Sequence, residues 1–281
     1  MMRYPTALTI AGSDSSGGAG VQADIKTMSA LGCYAASAIT AVTVQNTMGV
    51  TAVHAVPPEV VAGQIKAVMD DIKPTAVKVG MVNDTDTIHA IAHTIKPYLM
   101  EHGGGLRHLV VDPVMVATSG SRLMRDDALQ CFCRKLLPLA TLLTPNVLEA
   151  EVLANMRLTS DDEMDKAALR ILNLGCRALL IKGGHIEGEK IDRLYLSSQP
   201  DSPQFFVAEN IATRNTHGTG CTLSSAITAW LAQGEEVTAA ISKAKSYLTA
   251  ALRAGAEVEI GQGHGPVNHF YQPLSLRATN K

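Results

Sequence analysis

The chain predicts a three-layer α/β/α fold, with a mostly parallel central sheet flanked by helices, and three observations lead there. Short apolar runs alternate with longer helix-periodic stretches along nearly all of the 281 residues, the pattern of strands buried on both faces between covering helices. The composition, 46% hydrophobic and 18% charged, supplies a large core and excludes a disordered chain. Glycine-rich turns follow several of the apolar runs, where a parallel sheet places its ligands.

In order, Ala7–Ile10 reads as a buried strand, followed by a Ser/Gly loop at 13–20 and a helix over 21–31. Ala35–Val44 reads as a second strand. Val50–Val56 reads as a strand or hairpin arm before a helix opened by Pro57-Pro58-Glu59, since proline suits a first turn. Strand Ala76–Val79, helix 85–100, strand Leu109–Val111 and a helix near 126–137 follow. Strand Leu142–Leu143, helices 146–154 and 161–174, and strand Ala178–Ile181 continue the alternation. Two β-like stretches, 191–197 and 204–208, form a hairpin before helices 219–233 and 237–254. No internal repeat or Pro/Ser-rich linker interrupts the series. One domain over residues 1–273 is expected, with a loose tail over 274–281.

The net charge of −2, without a basic run, gives no case for nucleic acid or an anionic membrane. Residues 27–58 contain no Asp, Glu, Lys or Arg, but Gly32, Gln45, Asn46, Gly49 and two prolines break them, so no ~20-residue apolar helix fits. Cys33, Cys131, Cys133, Cys176 and Cys221 are odd in number and form no CxxC pairs, which favours free thiols in a reducing compartment. The first apolar run is too short for a secretory signal, and a cytoplasmic protein is expected.

Chemistry concentrates first in Asn215-Thr216-His217-Gly218-Thr219-Gly220-Cys221, which runs into a long apolar helix pattern. Glycines around a hydroxyl residue at a helix start expose backbone N–H groups with no intrahelical partner. Gly218, Thr219 and Gly220 therefore form a cradle suited to an anion such as a phosphoryl group in transfer. Cys221 stands at its lip, where it could take a proton from a substrate hydroxyl. A thiol-hydrolase dyad with His217 is disfavoured, because four residues across a glycine turn aim the imidazole poorly.

The first loop, Gly12-Ser13-Asp14-Ser15-Ser16-Gly17-Gly18-Ala19-Gly20, has neither GxGxxG nor P-loop spacing. Asp24 in the following helix is either a solvated first-turn acid or an anchor for a ligand hydroxyl. Gln45 either sits in a turn or reads an amino group beside a ring nitrogen, the edge an aminopyrimidine presents. Asp112 and Glu149 follow adjacent strands and are either ordinary caps or a carboxylate pair suited to Mg²⁺. Lys182, beside two glycines after a buried strand, suits an anionic ligand. Met81 reads as pocket wall or core, His89 and His93 as a weak metal pair without a third ligand, and Trp230 as packing.

The segments ALTIAGSDSSGGAGVQADIKT, ITAVTVQNT, KVGMV, VVDPVM, LLTPNVLEA, LIKGGH, NTHGTGCTLSSA and GHGPVNHF span residues 7–270. In this order they resemble the ribokinase-type superfamily, and within it the hydroxymethylpyrimidine/phosphomethylpyrimidine kinases of thiamine biosynthesis. That resemblance implies phosphorylation of 4-amino-5-hydroxymethyl-2-methylpyrimidine with ATP, then of its monophosphate to the diphosphate, by a homodimer. It places Gly12, Asp24, Gln45 and Met81 around the pyrimidine, and Lys182, Asn146 and Thr216 beside the nucleotide. Asp112 and Glu149 would organise Mg²⁺, and Gly218–Cys221 would form the anion hole. Many superfamily relatives carry Asp where this chain has Cys221, whereas the pyrimidine kinases carry Cys.

A helix N-terminus lowers a thiol below its ordinary ~8.5, so a useful thiolate fraction is expected at Cys221. Pyridoxal kinases share the fold and sometimes the cysteine, but their substrate ring has no amino group for Gln45 to read. A nucleotide-binding regulator without turnover would not need Asp112, Glu149, Lys182 and Cys221 together. Residues 46–57 and 185–190 read as loop-rich lids beside the cleft.

Overall fold

Strands and helices alternate as the apolar runs predict, and the runs line up side by side. The computed structural model describes residues 2–100, 105–115, 124, 126–183 and 190–280. In chain order the elements are β1 (Met2–Arg3), β2 (Thr6–Asp14), α1 (Gly20–Ala30), β3 (Tyr34–Asn46), β4 (Gly49–Ala55), α2 (Pro58–Asp71), β5 (Ala76–Val79) and α3 (Thr85–Met100). Then come β6 (His108–Val111), α4 (Asp126–Cys131), β7 (Leu142–Leu143), α5 (Val147–Ala154), α6 (Asp161–Leu172), β8 (Ala178–Ile181), β9 (Lys190–Leu196), β10 (Gln199–Ala208), α7 (Thr219–Ala232), α8 (Val237–Gly255) and β11 (Thr279–Asn280).

Among the described residues nine strands form one sheet, in the order β10-β9-β8-β7-β6-β5-β2-β3-β4. Pairs from β3 through β2, β5, β6 and β7 to β8 are parallel, while β3–β4, β8–β9 and β9–β10 are antiparallel. The chain leaves β2 toward β3 on one side and returns at β5 on the other. Such a switch point opens a crevice at the carboxyl ends of the strands.

Alternate residues of the same strands feed opposite layers, which is why the runs are apolar throughout. Leu8, Ile10, Val77, Val79, Leu109 and Val111 pack in the larger core with residues of α2, α3, α5 and α6. Ala7, Ala76, Val110, Leu142 and Leu180 face a second core with Met28 of α1, Ile227 of α7 and Ile241 of α8. Lys78 shares the face of Ala76, so a lysine stands in the second core with no exposed surface.

Several expectations are corrected. β2 continues to Asp14, so Gly12 and Ser13 end a strand instead of lying in the loop. Gln45 and Asn46 are the last residues of β3, and 49–55 are a paired strand and not a loop-rich lid. The second expected lid lies outside the described residues over 185–189. The helix expected near 126–137 breaks after Cys131 into a wide turn over Phe132–Leu136 and a tight one over Leu137–Leu139. That change of pitch keeps Phe132, Leu136 and Leu137 all buried, which a regular helix could not do ahead of Pro138. Along the tail expected to be loose, Leu274 N–H donates to Ala30 O at 2.7 Å, and β11 pairs antiparallel with β1.

Helix starts follow local chemistry. Ser160 caps α6, its Oγ accepting the Glu163 N–H at 3.2 Å, with three acids in the first turn favoured by the helix dipole. Ser160→Ala should cost about 1 kcal/mol in urea unfolding, because a first-turn N–H then loses its partner. A loss below a few tenths would show that the cap does not hold α6.

Candidate active site

The crevice is built where the amino-terminal end of α7 meets the loop after β2. Gly218 precedes α7 in the left-handed region (φ 76°), and a Cβ there would collide with Gly18 O, so only glycine allows the approach. No side chain caps α7. The Gly220 and Cys221 N–H groups consequently point out of the first turn, as an anion cradle requires. Thr219 N–H is taken by Thr216 O at 3.3 Å, so Thr219 adds little to the cradle through its backbone.

His217 binds the two loops together. Its Nε2 lies 2.8 Å from Asp14 Oδ2, and Asp14 also accepts the N–H groups of Ser16, Gly18 and Ala19 and the Ser16 hydroxyl. Burial by itself would raise the Asp14 pKa, but His217, Ser16 and Ala19 hold it well below the usual carboxylate range. The imidazole is thereby committed to Asp14. Gln45 Nε2 lies 3.4 Å from the same nitrogen, and Gln45 Oε1 accepts the Thr43 hydroxyl at 3.0 Å. Gln45 thus reaches the cradle's rim, its backbone clamped by Ser15 in both directions.

Gly12 and Met81 meet across the switch point. A Cβ on Gly12 would strike Met81 Cε, and Met81 is held by Thr40, whose hydroxyl donates to Met81 O at 2.8 Å. Asp24 is different from both of its expected readings: it is neither solvated nor open to a ligand. Fully buried, it accepts Lys78 Nζ on both oxygens at 2.8 Å, Thr9 Oγ1 at 2.5 Å and Ser225 Oγ at 2.6 Å. Its acceptor capacity is spent inside the protein.

Asp112, Glu149 and Lys182 converge beside Gly220. Lys182 Nζ donates to Asp112 Oδ1 at 2.8 Å, and Thr144 and Ser224 donate to the same carboxylate at 3.1 and 3.2 Å. A Cβ on Gly220 would sit 3.4 Å from Lys182 Nζ and 3.6 Å from Asp112 Oδ2, so the cradle opens onto this trio. Glu149 and Asn146 form a reciprocal capping box at the start of α5, which satisfies the ordinary reading of both. Asn146 also bridges to Lys182 through the backbone, while Thr216 stays half-buried on the approach to α7. Gly184 and His185 lie outside the described residues.

Burial pushes the Glu149 pKa up to about 7, and the nearby Asp112 charge adds to it against Lys182. Burial opposes the Asp112 charge too, but Lys182 and Lys78 pull its pKa below the ordinary value. A charge-paired Asp112 beside a Glu149 that lacks enough positive charge suits a hard divalent cation. Among the described residues no third His, Cys, Asp or Glu joins them, so water and phosphate oxygens would complete the shell.

Cys221 contradicts the expected thiolate. Burial pushes its pKa up to about 11; Lys78 opposes this most, the Gly20 N–H hydrogen bond helps Lys78, and Asp24 and Asp112 work against them. The resting group is a thiol. Asp14, Lys78, Ser224 and Thr144 were not singled out from the sequence. Lys78 had the clearest signal, a charge inside the four-residue apolar strand Ala76–Val79.

A cavity of about 460 Å³ lies between β10 and α8, lined among others by Val207, Glu209, Lys245, Thr249 and Arg253. Lys245 pairs with Asp192 at 2.6 Å, and Asp192 accepts the Gly183 N–H at 3.0 Å, one residue beyond Lys182. His89 and His93 stack on α3 with ring centroids 6.1 Å apart, and among the described residues no third His, Cys, Asp or Glu joins them to hold a metal. No helix among the described residues is long and apolar enough to cross a membrane.

The family model for phosphomethylpyrimidine kinase matches residues 14–268. A hydroxymethylpyrimidine/phosphomethylpyrimidine kinase of Rhizobium meliloti is 50% identical over 267 residues, 95% of this chain and 97% of that protein. The crystal structure of phosphomethylpyrimidine kinase from Clostridium difficile is 43% identical, with a TM-score of 0.76 over 88% of this chain and 99% of that one. The pyridoxal kinase of Staphylococcus aureus, in complex with AMP-PCP and pyridoxal, is 30% identical, with a TM-score of 0.84 over 95% and 94%.

Burial makes Glu149 easier to protonate in the folded chain than in the unfolded one. Its folded pKa lies above the unfolded one, so its contribution to stability is present below about pH 4.5 and lost as pH rises through about 7. Glu149→Gln keeps the capping box. In thermal melts it should gain Tm over the wild type at pH 8 and lose that advantage at pH 5. An equal difference at both pH values would mean that Glu149 is not strained by its charge.

Proposed function

The chain belongs to the phosphomethylpyrimidine kinase family, and from that premise we propose how its crevice works. Its activity is phosphoryl transfer to hydroxymethylpyrimidine and to phosphomethylpyrimidine in thiamine biosynthesis. Sequence identity and not shape separates it from the pyridoxal kinases, a related family whose backbone follows this one at least as closely.

The pyrimidine lies at the switch point, against the wall that Gly12 and Met81 form together, with the Gln45 amide on its amino edge. Asp24 has no part in that pocket. The hydroxymethyl oxygen faces Cys221, and the γ-phosphoryl lies over the Gly220 and Cys221 N–H groups. Cys221 first gives up its own proton to solvent; as the new oxygen–phosphorus bond forms, the hydroxyl proton passes to the Sγ thiolate, the bond to the bridging β–γ oxygen breaks and ADP leaves with the electron pair. Lys182 moves its contact from Asp112 to phosphate oxygen, with Asn146 and Thr216 beside the nucleotide. Asp112 and Glu149 would hold Mg²⁺, which when bound neutralises charge on the phosphates. The cavity between β10 and α8 takes the nucleoside, because Lys245 on its wall connects through Asp192 to Gly183.

The observation that carries this reading is the meeting of Cys221, Lys182 and Asp112 at one uncapped helix N-terminus. In a loose phosphoryl-transfer transition state the proton moves late, so a weakly populated thiolate suffices. A cytoplasmic location belongs to this reading, and the free cysteines support it. A homodimer is supported by β4, an edge strand whose hairpin with β3 exposes Val44, Met48 and Val53 within the charge-free stretch 27–58. Sedimentation of Val44→Lys should show more monomer than the wild type; an unchanged dimer would move the interface elsewhere.

Turnover of the pyrimidine alcohol, its monophosphate and pyridoxal, compared side by side by ADP release, tests the reaction itself. Release with none of the three would defeat it. Because the proton acceptor is a thiolate with a resting pKa near 11, the wild-type kcat should climb steadily from pH 7 to 9. Cys221→Ala should lower kcat at least about 100-fold, flatten that climb and leave nucleotide affinity near wild type. A rate within a few-fold of wild type, with the climb intact, would remove Cys221 from the proton transfer.

A further inference from the structure

Lys78 has no part in the pocket, yet it is the most completely buried cation near the reacting thiol. Its partners follow a ladder between two helices that both start at the crevice. Gly20 and Asp24 are four apart on α1, and Cys221 and Ser225 are four apart on α7, so each pair stacks on one helix face. A Cβ on Gly218, just before α7, would sit 3.2 Å from Ala19 Cα, just before α1, and Ser225 Oγ donates to Asp24 Oδ1 at 2.6 Å. The helices therefore touch at their starts and again at the Asp24–Ser225 rung, with Cys221 one turn nearer the start than Ser225. Lys78 Nζ grips both oxygens of Asp24 at that rung. Its ammonium also leans toward the crevice: a Cβ on Gly80, two residues further along the strand, would sit 2.8 Å from Nζ.

We propose that Lys78 is a positioning residue for phosphoryl transfer: its ion pair with Asp24 sets the helix N-termini that present Gly20 and Cys221, and keeps a permanent positive charge beneath the reacting sulfur. Four charged groups face Cys221 from the elements around it: Lys78 of β5, Asp24 of α1, Asp112 after β6 and Lys182 after β8. Lys182 is committed to Asp112 at 2.8 Å and, on the reading above, to phosphate during the reaction. Lys78 is the cation that does not change partners. It draws the thiol toward thiolate against the two carboxylates, and Asp24 keeps the ammonium protonated despite burial. A purely structural pair could be replaced by apolar residues of similar size with little loss, whereas breaking one side leaves an uncompensated charge.

The inference rests on Cys221 being the group beside the transferred phosphoryl, so its test includes a measurement that needs no substrate. Alkylation of Cys221 by iodoacetamide, followed by mass spectrometry of its peptide, reads the thiolate directly. Asp24→Asn keeps acceptor and donor groups for Ser225 and Thr9 and removes the negative charge; it should alkylate faster than wild type at pH 8. Adding Lys78→Met should slow alkylation about tenfold relative to Asp24→Asn, and lower kcat by a similar factor with the KM values for ATP and pyrimidine unchanged. Equal alkylation profiles and equal kcat in the two variants would overturn the proposal. If the double variant lacks a cooperative melt, Gly80→Ala decides instead, since its methyl displaces the ammonium without removing a charge. Slower alkylation and lower kcat in a folded Gly80→Ala support Lys78; wild-type values for both sink it. Were no variant or wild type to turn over the pyrimidine, the alkylation rates would still judge Lys78 separately from the kinase reading.

Discussion

The whole site depends on how closely the start of α7 is drawn onto the loop after β2. Gly218 must take a left-handed conformation with no room for a Cβ against Gly18 O. His217 and Asp14 then close the contact through the bond between Nε2 and Oδ2. Because His217 also stands beside Gln45, the same approach ties the anion cradle to the candidate base reader. The C-terminal segment secures it again: His217 N–H donates to Gly265 O, and His264 N–H donates to Thr47 O at the tip of the β3–β4 hairpin. A small displacement of α7 would thus open the cradle, turn the thiol and loosen the pocket wall together.

Burial gives the charges of this crevice their force. In a low effective dielectric each unpaired group costs several kcal/mol, so the lysines and carboxylates interlock. Lys182 answers Asp112, Lys78 answers Asp24, and Glu149 is left to take up a proton near neutrality. The crevice's own residues are therefore short of one positive charge at Glu149 and hold one proton too many at Cys221 for the proposed reaction. A nucleotide arriving with a divalent cation would supply the first. The helix N-terminus, Gly20 and Lys78 all act on the second.

Much of the architecture was readable because burial on both faces leaves an unambiguous pattern. Ala76–Val79, Leu142–Leu143 and Ala178–Ile181 are strands with the bounds the apolar runs mark. Elements were misread where packing overrides local preference. Gln45 and Asn46 suit a turn but are held in β3 by pairing with Val50 and Gly49. The stretch after Cys131 changes helical pitch to bury Phe132 and two leucines. At the site, the types of side chain were legible and their direction was not. Asp24 reads as a first-turn acid, yet the residues that consume it, Thr9, Lys78 and Ser225, come from three other elements.

The sequence by itself determined the layered fold, the glycine-bounded cradle at 218–221 and the strand ends that carry Asp112, Glu149 and Lys182, because these follow from local pattern and backbone sterics. The tertiary structure alone decided who partners whom. It turned Asp24 inward, placed Lys78 below Cys221, committed His217 to Asp14 and raised the thiol's proton affinity where the helix terminus suggested the opposite. The physical reason is that pKa values and hydrogen-bond partners depend on desolvation and on charges distant in the chain. No spacing along one strand or helix records those.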